Sequence, residues 1–179
     1  MKIVGSVAQD EVWDHWFRTE NYARHESLTG ESLRQAIENW RSDIKQPLPS
    51  DIRWHEAVLE QTDVSRLFII SSDDWSDISR RTFLVSSVAE SLNETFSNED
   101  SLRISSDIKR KLCFLESGGT LDTKLILVSD KVVGPFTIIE GNRRAVALRC
   151  LNRLAGTRIY LGISRGITDY GWSRYAYRS

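Results

Sequence analysis

Gly141, Arg143 and Arg144 lie in the segment Ile138-Ile139-Glu140-Gly141-Asn142-Arg143-Arg144-Ala145-Val146-Ala147-Leu148, and their types and spacing suit recognition of phosphate. An apolar run of strand character leads into a glycine, which tolerates positive φ and lets a ligand approach the backbone closely. The residues after it open a helix, whose first amides and dipole favour an anion. Two guanidinium groups add forked, charged donors at the same end. An exposed cation at a helix N-terminus opposes the dipole by about 0.3–1 kcal/mol. Their placement therefore points to a bound anion, with Gly141, Asn142, Arg143 and Arg144 as the phosphate-binding residues. An ion pair from Arg143 or Arg144 to a carboxylate such as Glu140 would satisfy the same side chains without a ligand.

Three further groups carry weaker signals. Ser71-Ser72-Asp73-Asp74-Trp75-Ser76-Asp77 follows a strand-like run, and Asp73 and Asp74 offer oxygens suited to magnesium; the same run also suits an ordinary capping turn. His55, in Arg53-Trp54-His55-Glu56, has the side chain for acid–base work or for a surface or core position. Residues 141–179 hold eight arginines against the single acid Asp169, a formal charge of +7, so the remaining chain carries −8 of the total −1. That stretch also holds Tyr160, Tyr170, Trp172, Tyr175 and Tyr177, which suits either an anion-binding surface or pairing with the acidic remainder of the chain. Nucleic acid is therefore a conceivable but disfavoured partner. No His/Cys spacing predicts zinc, and neither G-x-S-x-G nor G-x-x-x-x-G-K-[ST] occurs.

The elements that must position these residues follow from periodicity. A helix is predicted over 10–26, with Val12, Trp13, Trp16 and Phe17 on one face. A second is predicted from about Glu31 to Ile44, with Leu33, Ala36, Ile37, Trp40 and Ile44 on its apolar stripe and prolines at 47 and 49 beyond it. The two suggest a hairpin, and their tryptophans are assigned to packing. Leu67-Phe68-Ile69-Ile70 predicts a strand, Arg81 to Asn93 a helix, and 97–101 a polar loop. Ser106-Asp107 suits the cap of a helix ending near Ser117. Lys124–Val128, Phe136–Glu140 and Arg158–Ile163 read as strands, with a helix from the Gly141 turn to Gly156. The order predicts an α+β fold with a mixed sheet.

The glycine-arginine turn resembles that of the ParB/sulfiredoxin superfamily. There a strand is followed by G-x-R-R or G-x-H-R and a helix with small residues one and three positions later, matched here by Gly141, Arg143, Arg144, Ala145 and Ala147. The resemblance spans about residues 64–165 and implies an α+β mixed sheet of ParB/sulfiredoxin type, with 51–179 as that domain and 1–50 as an N-terminal helical extension. It implies a nucleotide, ATP or CTP with magnesium, on the arginine pair. Sulfiredoxin chemistry needs a cysteine directly after the glycine, where this chain has Asn142. ParB proteins follow the domain with a DNA-binding helix-turn-helix, for which residues 145–179 are too few, so centromere binding is not carried over. A kinase branch uses a glutamate as base, and Glu140 is the adjacent candidate. The expected function is thus nucleotide binding at Gly141–Arg144, either in an NTP-dependent phosphotransferase or NTPase, or in a non-catalytic switch or interaction module.

Composition bounds the rest. The chain has 179 residues, 40% of them hydrophobic and 27% charged, which excludes a wholly disordered chain. It lacks an apolar run long enough for a membrane span and a secretory signal at Met1–Gly5. Cys113 and Cys150 show no C-x-x-C spacing, which excludes a disulfide scaffold and favours a cytoplasmic setting.

Overall fold

The computed structural model describes residues 1–19, 28–40, 48–121 and 124–177. Six strands form one mixed sheet in the order β1-β2-β6-β4-β5-β3. They are β1 (Lys2–Ser6), β2 (Arg53–Val58), β3 (Leu67–Ile69), β4 (Leu125–Ser129), β5 (Phe136–Glu140) and β6 (Arg158–Ile163). The helices are α1 (Gln9–Thr19), α2 (Gly30–Trp40), α3 (Gln61–Val64), α4 (Val85–Ser91), α5 (Glu99–Glu116) and α6 (Asn142–Cys150). This is an α+β fold, as the element order predicts.

β4 is buried at every position and β5 at all but its last, so both read as continuous apolar runs rather than alternating ones. β3 runs parallel to β5 and β4 parallel to β6, whereas β4 and β5 are antiparallel neighbours. The parallel pairs need crossovers: α4 and α5 separate β3 from β4, and α6 separates β5 from β6. β3 and β5 end side by side, with Ile69 opposite Ile138, and this brings the chain after β3 to the Gly141 turn.

The N-terminal residues differ from a purely helical extension. β1 pairs antiparallel with β2 at the sheet edge, ahead of α1. β2 itself pairs along its whole length with β6, whereas its sequence singled out only His55. Val12, Trp13, Trp16 and Phe17 of α1 are buried on one face. Trp13 stacks on Trp16 with ring centroids 5.4 Å apart and meets Trp54 of β2 edge-on at 5.9 Å. Trp54 in turn needs Gly162 opposite it, since a Cβ there would lie 2.8 Å from the indole. The core is contiguous from these residues through Leu33 to the central strands. The expected helix ends at 26 and 44, and the hairpin connection between them, lie outside the described residues.

Three helix boundaries also move. α4 spans only Val85–Ser91, with Arg81 and Phe83 at positive φ ahead of it rather than within the helix. α5 starts at Glu99 rather than at Asp107, because Asn98 caps it by accepting from the amides of Asp100 and Ser101. α6 ends at Cys150 and a turn follows, so Gly156 lies beyond the helix. Cys113 is exposed on α5. Among the described residues, no helix is long and apolar enough to cross a membrane.

Candidate functional site

The turn between β5 and α6 is built as its sequence suggests. Gly141 takes φ 94° in the left-handed region and serves as the N-cap of α6, and no side chain caps the helix there. A Cβ at this position would sit 2.5 Å from Leu125 Cδ2 and 2.9 Å from Arg144 Nη2, so glycine is required by space as well as by φ. Asn142 is buried, and its Oδ1 accepts from the Ile70 amide at 3.3 Å. That bond ties the end of β3 to the first turn of α6.

The two arginines part company. Arg144 is 8% exposed, which corrects the expectation of an exposed pair at the helix start. Its Nη2 donates to Glu140 Oε1 at 2.9 Å, so the ion pair that the sequence left as an alternative is present. The physical reason is geometric. A side chain in the third position of α6 turns back over Gly141, where the missing Cβ leaves room for the guanidinium. Arg143 points the other way. Its Nε lies 3.4 Å from Asp107 Oδ2 of α5, and it lines a cleft of about 330 Å³ with Arg110, Lys111, Phe114 and Leu121. Three cations therefore line this cleft. Asp107, already paired with Arg110 and Arg143, is the one carboxylate among its described lining residues. Burial, together with the charges of Arg144 and Arg143, pushes the Lys111 ammonium below its ordinary pKa. No family, no curated protein and no solved structure matches the chain.

Asp73 and Asp74 form a 3-10 turn with Trp75. Asp74 accepts from the Ser72 hydroxyl, and its charge acts on Arg103 of α5. Among the described residues, no group of three or more His, Cys, Asp or Glu side chains could hold a metal ion. His55 sits within β2, with its Nδ1 buried and without a hydrogen-bond partner.

The arginine- and tyrosine-rich tail folds onto the sheet. Trp172 is buried and its carbonyl accepts from the Ser71 amide; Tyr177 Oη accepts from the Asp130 amide at 2.9 Å; and the rings of Tyr175 and Phe83 lie 4.3 Å apart.

A polar network under α1 was not anticipated. Tyr160 Oη donates to Glu11 Oε1 at 2.8 Å and accepts from Lys124 Nζ at 3.1 Å. Lys124 Nζ also lies 3.1 Å from Glu56 Oε1. His15 Nε2 donates to the Lys124 carbonyl at 3.0 Å, and its ring meets Tyr160 edge-on. Burial holds His15 below its ordinary pKa, and the charges of Arg144 and Lys124 act in the same direction. For Lys124, burial is outweighed by the bonds to Tyr160 and Glu56, and its pKa is raised. The signal in the sequence was Glu11 and His15, four residues apart on the polar side of the same helix. Likewise, Arg110 and Lys111, in the run Lys109-Arg110-Lys111 on α5, marked two of the cleft's three cations.

Proposed function

We propose that the protein binds a phosphorylated ligand, a nucleotide, in the cleft between α5 and the first turn of α6. The observation that carries this is the convergence of Arg110, Lys111 and Arg143 on one cleft at a helix start that no side chain caps. Uncapped amides and the helix dipole favour an anion at that end. An anion would also favour the charged form of Lys111, which burial first and then the charges of Arg144 and Arg143 hold below its ordinary pKa. Phe114, 49% exposed, and Leu121 supply an apolar wall on the same cleft for a base.

In this reading Arg143 and Lys111 contact phosphate. Gly141 and Asn142 shape the turn, and Arg144 holds it through Glu140. The strand, G-N-R-R turn and helix are the features that resemble the ParB/sulfiredoxin superfamily, and they support a nucleotide over a simpler anion. The Glu140–Arg144 ion pair favours binding without turnover, because the glutamate is engaged in closing the turn.

A thermal-shift panel of ATP, CTP and other nucleotides, with and without magnesium, tests this. A ligand at 100 times its Kd stabilises by about 2.7 kcal/mol. A nucleotide-dependent shift that disappears in Lys111→Met supports the site, and no shift with any nucleotide rejects it.

A further inference from the structure

The outer face of α5 carries a second groove that, among the described lining residues, shares only Arg110 with the phosphate cleft. Leu102, Ser106, Lys109, Arg110 and Cys113 recur at helical spacing and are all exposed. They form a ridge about 16 Å long at 1.5 Å per residue. Beside it lies the groove, of about 480 Å³, walled by Phe96, Leu102 and Cys113 and rimmed by Lys109 and Arg110. Leu102 is 49% exposed and lines the groove. Glu94, the one carboxylate among the described lining residues, is held by the Arg80 guanidinium. Lys109 has no carboxylate partner among the described residues.

We infer that this groove docks an acidic segment of another protein, which places apolar side chains against Phe96 and Leu102 and a carboxylate on Lys109. Charge complementarity selects the partner. An uncompensated ammonium beside an apolar wall is matched by a chain that alternates carboxylates with apolar anchors. A second copy of this chain is disfavoured, since a two-fold contact must supply the carboxylate from this same patch, and its one described carboxylate, Glu94, is already held by Arg80. Single-stranded nucleic acid is disfavoured because Phe96 is the one aromatic ring among the described lining residues, too few for successive bases to stack on.

The experiment pans a random-peptide phage library on the full chain and measures the enriched sequences as synthetic labelled peptides by fluorescence anisotropy. The expected result is enrichment of acidic peptides with spaced leucine or phenylalanine. Leu102→Ser and Lys109→Glu should each weaken them about tenfold or more. Both positions are exposed, so an unchanged melting temperature should accompany the loss, and Leu102→Ser should keep the nucleotide response. Failure to enrich, enrichment of basic or uncharged peptides, or winners indifferent to Leu102→Ser would each overturn the inference. It would also fall if the two substitutions weakened a labelled oligonucleotide instead, or dissolved a dimer of this chain.

Discussion

The Arg144 guanidinium lies 2.9 Å from a Glu140 carboxylate oxygen, and the two side chains are 10% and 14% exposed. The glutamate ends β5 and the arginine stands in the first turn of α6, so the pair closes the turn across Gly141. An arginine in this position is a fastener of the loop, and Arg143 beside it is the one that meets the cleft.

Arg144→Ala should therefore destabilise the protein. Removing one member of a largely buried pair costs about 3–5 kcal/mol. Urea denaturation would show this as a lower midpoint with an unchanged slope. A variant as stable as the parent would make the pair energetically idle.

Arg143→Ala should behave in the opposite way. Its side chain is 35% exposed and its partner Asp107 22%, a partly solvated pair worth about 0–1 kcal/mol. Calorimetry should find melting within about 2–4 °C of the parent, the shift expected for 1 kcal/mol in a chain of this size. Titration should find nucleotide affinity reduced.

Trp13→Ala should cost about 3–5 kcal/mol, as the loss of a fully buried aromatic does. Trp13 is 1% exposed and joins α1 to Trp54 of β2. Early melting together with exposed hydrophobic surface, followed by dye binding, is the expected outcome. An unchanged midpoint would detach α1 from the core.

His15 sets a pH dependence. Burial first, then the charges of Arg144 and Lys124, hold its folded pKa below the ordinary 6.5. The unfolded chain thus binds a proton more readily than the folded one, and stability rises with pH between the two values. The contribution is complete above 6.5 and is lost as the pH falls from there toward the folded value. Stability measured from pH 7 to pH 5 should fall more steeply in the parent than in His15→Gln. Equal slopes would remove His15 from the account.

The sequence by itself determined the local features: the apolar runs of β4, β5 and β6, the left-handed glycine that ends β5, and the tryptophan stripe of α1. Each is a property of a few neighbouring residues, set by backbone sterics or by period. Tertiary structure decided the rest. β2 carries His55 and Glu56 among its apolar residues, and it becomes a strand through pairing with β6, about a hundred residues later in the chain. Arg143 and Arg144 are adjacent and alike, but successive helical residues point about 100° apart. One therefore turns back to Glu140 and the other faces α5. Lys111 and Phe114 join the cleft only because α5 packs beside α6. Adjacency in the chain could not separate the two arginines, since what separates them is the element each one faces.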